Sequence, residues 1–306
     1  MYDLIIVGAG PAGLSAAVYA KRAMLSVLLV EKNGYGGGQI VNTEKVDNYL
    51  GLPGVSGFEL ALKFQEHVKQ LGVEMRTADV MNVQRDGKCW KVLFANGEAE
   101  QTKTILVATG SSYRKLGIPG EREFAGRGVS YCATCDGAFY KDKAVAVIGG
   151  GDVAVGDALY LSNICEKVYL IHRRDTLRAA ESLQDKLFST ENITFLSRCV
   201  AEEIAGEQIV DTLRIRKNET GQIQDIAVSG VFVAVGMSPQ TDFVKGLLEM
   251  EESGHIKATE DCVTSAPGIF VAGDSRTKQV RQLVTAVADG ACAMRSIEMY
   301  LSALQV

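Results

Sequence analysis

The sequence predicts an α/β protein built from two copies of one strand–turn–helix–strand unit, and three observations carry that prediction. Leu4-Ile5-Ile6-Val7 is an uninterrupted apolar run, the pattern of a strand buried on both faces of a parallel sheet, and it enters Gly8-Ala9-Gly10-Pro11-Ala12-Gly13 without a break. The same order recurs where Ala144 to Ile148 enters Gly149-Gly150-Gly151-Asp152-Val153-Ala154. The middle glycine and the residue closing the second strand stand 21 positions apart in both copies, Gly10 to Glu31 and Gly151 to His172.

Each element has a physical reason. At 306 residues the chain exceeds the usual size of one hydrophobic core, so two domains are expected. In the first copy the alanine-rich stretch Leu14 to Arg22 suits a helix packed closely on a sheet, and Val27 to Val30 reads as the second strand, ended by Glu31. This is the order of a Rossmann-like dinucleotide-binding unit. There the first glycine makes the tight turn, the middle one lets the backbone approach a pyrophosphate, and the last permits close helix packing while the helix N-terminus supplies N–H donors. Gly8, Gly10 and Gly13 take those places, with Pro11 and Ala12 between them, and Glu31 is positioned to accept from a ribose hydroxyl. A glycine turn that binds nothing is the alternative, and the complete order of strand, turn, helix, strand and acid argues against it.

In the second copy a helix runs to about Ser162 and a strand from Val168 to Ile171, which ends on His172-Arg173-Arg174 with Arg178 close behind. A carboxylate at this place accepts from a free 2′-hydroxyl and repels a 2′-phosphate, whereas arginines bind phosphate through forked, charge-assisted hydrogen bonds. The second unit is therefore predicted to take NADPH; the alternative is a solvated basic strand end. Two different dinucleotides on one chain imply electron transfer between them, and FAD is the candidate for the first site. Thr104 to Val107 leads into Ala108-Thr109-Gly110, and Gly268 to Ala272 into Gly273-Asp274, so small residues or an acid stand at strand ends where open α/β sheets bind ligands.

Of seven cysteines only Cys132 and Cys135 are closely spaced, and they lie 14 residues before the second glycine turn. Such a pair reads as redox-active or metal-binding. Half of a zinc site would need two further ligands at comparable spacing, and none is evident, so no metal is expected and the other five cysteines read as buried small hydrophobes. Asp136 is a candidate proton donor or acceptor for thiol exchange, or else a turn residue before Gly137. The net charge of −5 without like-charge runs gives no reason to expect nucleic acid. No apolar run reaches the ~18 residues that span a bilayer. The first residues run straight into a strand with no room for a leader, so a cytoplasmic location is expected.

Together these residues resemble the low-molecular-weight, bacterial-type thioredoxin reductases over essentially the whole length. The likeness rests on Gly8 to Gly13, Gly37-Gly38-Gln39, Ala108-Thr109-Gly110, Cys132-Ala133-Thr134-Cys135-Asp136-Gly137, Gly149 to Ala154, His172 to Arg178, Gly273-Asp274 and Arg281-Gln282. It implies an FAD domain made from residues 1–113 and 242–306, with the NADPH domain, 114–241, inserted between them on two short hinge strands. It implies that Cys135 is nearer the flavin, that Cys132 attacks the substrate disulfide, that Asp136 is the acid/base, and that the NADPH domain swings so nicotinamide and cysteine pair reach the flavin in turn. By position, Gly38, Gln39 and Asn48 would lie along the FAD, Val80 near its adenine, and Asp274, Arg281, Gln282 and Leu283 near its ribityl chain and flavin. A thioredoxin or similar small redox protein is the implied partner, and a homodimer the implied assembly. Val155-Gly156-Asp157 departs from the family, which usually has a pair of acids there.

Other readings remain at this stage. They are a relative serving a peroxiredoxin-linked protein, a ferredoxin-driven enzyme disfavoured by the basic run, and a redox sensor without turnover. Glutathione-reductase-like enzymes carry their cysteines in the first FAD segment, and residues 31–60 contain none.

Overall fold

A computed structural model describes residues 1–43 and 45–304. It divides into two compact units, Met1–Ser112 with Ser238–Val306, and Tyr113–Met237. The chain crosses between them along Ser111–Tyr113 and Met237–Pro239, two short strands that pair with each other.

In the first unit Tyr2–Val7 is the centre of a parallel array, flanked by Val27–Glu31 and Ala99–Val107, with Glu74–Thr77 outside the former. Ile269–Val271, from the far end of the chain, joins in parallel beside Ile105 to Val107. Val80–Asp86 and Cys89–Phe94 complete the sheet as an antiparallel meander. The unbroken apolar run of the first strand is explained by burial on both faces, because successive side chains point to opposite sides. Leu4 and Ile6 pack with helices Pro11–Arg22 and Leu283–Ala303, while Ile5 and Val7 pack with Val83, Trp90, Val92 and Phe94. The two helices approach so closely that a Cβ on Gly290 would lie 2.3 Å from the Ala12 carbonyl oxygen. That contact accounts for the alanine-rich sequence. The first helix starts at Pro11, three residues earlier than its apolar pattern suggests, since proline is preset for the first helical position.

In the second unit five parallel strands run in the order Ile193–Leu196, Lys167–Ile171, Ala144–Gly149, Gly230–Ala234 and Val129–Ser130. Helix Asp152–Ser162 covers one face. The other is covered by an antiparallel sheet of Cys199–Gly206, Val210–Lys217 and Ile223–Ala227. Gly156 of the helix faces open space, and burial pushes the neighbouring Asp157 carboxyl up to about 7. Among the described residues no helix is long and apolar enough to cross a membrane.

Candidate active site

The first glycine turn is fixed by sterics. Gly8 has φ +107°, and a Cβ there would lie 2.5 Å from the Ala108 carbonyl oxygen; a Cβ on Gly13 would lie 1.9 Å from the Gly8 oxygen. Gly10 differs, since the nearest atom to its Cβ would be Gly38 Cα at 3.9 Å, leaving a cradle that the protein itself does not fill. Gly13→Ala is therefore expected to lower unfolding stability by about 1–3 kcal/mol or more through overpacking. Gly10→Ala should leave stability of the ligand-free protein unchanged and cost about 1.5–3 kcal/mol of dinucleotide affinity, the worth of a hydrogen bond to a charged group. Denaturant unfolding and ligand titration of both variants check the contrast.

Several predicted residues meet at the C-terminal edge of this sheet. Glu31 accepts from the backbone N–H of Ala9 (2.8 Å) and of Asn33 (3.0 Å), which ties the acid to the glycine turn and leaves its remaining lone pairs for a ligand. Because Ala99–Val107 and Ile269–Val271 are neighbours, Ala108-Thr109-Gly110 and Gly273-Asp274 emerge side by side: Ser275 Oγ accepts the Gly110 N–H at 2.7 Å. Gln39 Nε2 donates to the Ser111 carbonyl, and Asn48 Nδ2 donates to Gln282 Oε1 at 3.0 Å. Gln282 caps the helix that begins with Leu283. The Val80 side chain belongs to the core, so only its backbone is left to meet a ligand. Asp274 Oδ1 and Arg281 Nε are buried without a hydrogen-bond partner, and burial pushes the Asp274 carboxyl up. Buried orphans of opposite sign beside an open glycine cradle fit a polar ligand.

The second turn repeats the design. Cβ atoms on Gly149 and Gly150 would lie 2.4 Å from the Ala234 oxygen and 2.3 Å from the His172 ring, whereas Gly151 faces open space at the start of helix Asp152–Ser162. Val153 is exposed and Ala154 buried in the first turn of that helix. The loop after the next strand folds back on the turn, with the Arg178 N–H donating to the Gly150 oxygen (2.7 Å) and the Ala180 N–H to Asp152 Oδ1 (2.8 Å). His172 is only 6% exposed, and burial together with Arg178, Arg173 and Arg174 pushes its imidazole down, so it stays neutral beneath Gly150. The positive charge comes from the arginines. Among the described residues Arg173, Arg174 and Arg178 form no ion pair, while Arg198 pairs with Asp175 and Glu219. Arg198, 24 residues beyond Arg174, carries no motif that would single it out.

Cys132 and Cys135 form a disulfide, with Cα atoms 5.3 Å apart, on the same unit as the arginines. Cys132 caps the short helix Ala133–Asp136 and is half-buried; Cys135 is exposed. Asp136 Oδ2 accepts from Ser130 Oγ at 2.6 Å. Cys165, Cys199 and Cys262 are buried as expected, but Cys292 is exposed on helix Leu283–Ala303, which has a solvent face at that position, and Cys89 is half-buried. Among the described residues no cluster of His, Cys, Asp or Glu could hold a metal ion.

Comparison with known proteins decides the family. Residues 2–290 match the family model of the pyridine nucleotide-disulphide oxidoreductases. The chain is 44% identical over 306 residues to the thioredoxin reductase of Bacillus subtilis, covering all of this chain and 96% of that protein, and 43% identical to that of Listeria innocua, covering all of this chain and 95% of that one. The solved thioredoxin reductase of Streptococcus pyogenes superposes with a TM-score of 0.93 at 44% identity, over 99% of each chain. This chain belongs to the bacterial-type thioredoxin reductases.

As a member of the family it is an oxidoreductase working with a flavin and a pyridine nucleotide, and it has the two-domain α/β fold of the thioredoxin reductases. The cysteine pair is its redox-active disulfide. Asp289 of this thioredoxin reductase also carries no sequence motif. Asp289, 5% exposed, accepts from Arg276 through two hydrogen bonds (2.8 and 2.9 Å), from Lys278 Nζ (2.9 Å) and from the Gly273 N–H (2.9 Å). Burial opposes its charge, yet these hydrogen bonds win and hold its carboxyl below the usual range. The cluster thereby anchors the turn that carries Asp274. The available signal was an acid inside the apolar stripe Ala286, Gly290, Ala293 and Ile297.

Proposed function

We propose that this thioredoxin reductase takes two electrons from NADPH by way of FAD onto Cys132–Cys135 and delivers them to the disulfide of thioredoxin or a thioredoxin-like protein. The observation that carries the reading is the disulfide on the same unit as three arginines that, among the described residues, form no ion pair and stand beside the second glycine turn. FAD would be held by the Gly8–Gly13 turn, Glu31, Gly38, Gln39, Asn48, the Val80 backbone, Ala108 to Gly110, Gly273, Asp274 and Arg281 to Leu283. NADPH would be held by Gly149 to Ala154, with Arg173, Arg174 and Arg178 on its 2′-phosphate. When bound, FAD supplies a two-electron carrier between a nicotinamide hydride donor and a disulfide.

The protein's own residues do the rest. With the pair reduced, the Cys132 thiolate attacks one sulfur of the partner disulfide, that S–S bond breaks, and the leaving sulfur takes a proton. The Cys135 thiolate then attacks Cys132 Sγ, which restores the pair and releases the second partner thiol with another proton. The two protons come from the two cysteines, and Asp136 would carry them. The family reading also gives a homodimer and a cytoplasmic location, tested by sedimentation and by cell fractionation.

The decisive experiment adds NADPH without oxygen to the purified yellow protein, then an oxidised thioredoxin. Bleaching by NADPH, restored by thioredoxin, is expected; flavin that stays oxidised would end the proposal. Arg174→Ala should raise the KM for NADPH about 10–100-fold, since a hydrogen bond to a charged group is worth about 1.5–3 kcal/mol, and leave the weaker reaction with NADH unchanged. Steady-state kinetics with both donors reads the difference.

A further inference from the structure

We propose that Ser130 is a positioning residue for the redox pair, holding the Asp136 carboxylate and the Cys132 main chain in one fixed relation through a single hydroxyl. The inference rests on the reading of Asp136 given above and extends it. Ser130 ends the strand Val129–Ser130, which pairs in parallel with Val231 and Phe232 of a central strand, so its backbone is set by the sheet rather than by the cysteine turn. Its side chain is 5% exposed. The Oγ donates to Asp136 Oδ2 at 2.6 Å and accepts the Cys132 N–H at 3.1 Å.

The arithmetic of donors makes this arrangement specific. A serine hydroxyl has one proton and two lone pairs, so it can donate to Asp136 and accept from Cys132 at the same time. The Cys132 carbonyl oxygen, 3.4 Å away, competes for that one proton and is the poorer acceptor. The 2.6 Å separation is the length of a hydroxyl bonded to a carboxylate, and such a bond favours the charged form. The staple joins residues on both sides of the disulfide ring, and neither of its bonds involves a sulfur. It can therefore persist when the S–S bond opens, holding the Asp136 carboxylate and the Cys132 main chain in the same relation.

Tyr131 precedes the turn, with its hydroxyl donating to Glu121 Oε1 at 2.9 Å and Lys115 Nζ over its ring at 3.5 Å. Tyr140 follows it, with its phenol pushed up to about 12 by burial first and by Asp136 second. Helix Asp152–Ser162 packs against Gly137 through Tyr160 and Leu161 and also carries Asp157. Cys165, beyond that helix, is pushed up to about 11 by burial. Ser130 bonds to both the Asp136 carboxylate and the Cys132 N–H.

The test uses the flavin-loaded enzyme with NADPH and an oxidised thioredoxin, comparing wild type, Ser130→Ala, Ser130→Thr, Asp136→Asn and the double variant Ser130→Ala/Asp136→Asn across pH. Ser130→Ala is expected to lower kcat about tenfold near neutrality and to move the acid limb of its pH profile up by about one unit, because a carboxylate without its donor is protonated more readily. Ser130→Thr, which keeps the hydroxyl, should restore both the rate and the profile. The double variant should be no slower than Asp136→Asn. Wild-type rate and profile in Ser130→Ala, or independent multiplying losses in the double variant, would overturn the positioning role while leaving Asp136 in place. A fully active Asp136→Asn would overturn both the role of Asp136 and this inference. If Ser130→Ala does not fold, Ser130→Gly, which also lacks the hydroxyl, carries the same comparison.

Discussion

Cys132→Ser and Cys135→Ser are each expected to lose disulfide reduction by at least about a thousandfold, while NADPH still bleaches the flavin in both, because a pair acting as one unit is disabled by loss of either member. A serine hydroxyl cannot form or exchange a disulfide, and neither side chain lines a glycine turn. The two variants should differ in what they trap. Cys135 is the more exposed residue, so access in this arrangement favours its attack, whereas the family pattern gives the attack to Cys132. Only the variant that keeps the attacking sulfur can accumulate a mixed disulfide with its partner, since the sulfur that would resolve it is gone. Non-reducing electrophoresis with oxidised thioredoxin should show the covalent adduct with Cys135→Ser and none with Cys132→Ser. The reverse pattern would exchange the two roles, and turnover within tenfold of wild type in either variant would remove the pair from the reaction.

Asp289→Asn is expected to destabilise the first unit by about 3–5 kcal/mol, the cost of breaking a buried ion pair from one side. Arg276 and Lys278 would remain buried without the carboxylate that pairs with both, and the Gly273 N–H would lose its acceptor. The wild-type carboxyl is held below its usual range, so its contribution is complete above the unfolded value near pH 4 and fades as pH falls through the folded one. The gap between wild type and variant in urea unfolding should therefore be full at pH 7 and close in acid. Flavin retention should fall with it, because Gly273 and Asp274 lose their anchor. Equal unfolding midpoints at pH 7 would contradict the electrostatic reading of the cluster.

The two glycine turns were legible in the sequence because their requirement is local. A Cβ at Gly8, Gly13, Gly149 or Gly150 would strike atoms held by the same turn or its neighbouring strand, so residue type and spacing carry the geometry. The basic strand end was legible for a similar reason, with His172 buried against Gly150 and its imidazole pushed down by burial and by Arg178, Arg173 and Arg174. What lacked a signature were groups of common residue type whose use depends on tertiary placement. Arg198 and Asp289 meet partners 23 and 13 residues away, and Ser130, whose partners are close in the chain, is set by the pairing of its strand with Val231 and Phe232. Val80 shows the converse, a position named through resemblance whose side chain is committed to the core. Nothing local announced that Ile269–Val271 would insert beside Ala99–Val107, because strand pairing across such a separation leaves no pattern in either segment.

That same insertion sets an order of events on the ribosome. Residues 113–237 emerge as one continuous stretch, so their parallel sheet can close while translation continues. The opening segment must wait: its edge by Val107 and the apolar flank of Pro11–Arg22 stay uncovered until the final forty or so residues, with Ile269–Val271 and Leu283–Ala303, have left the exit tunnel. A nascent chain arrested before residue 269 would thus hold a finished inner body and an unfinished outer one, exposing surface that chaperones recognise.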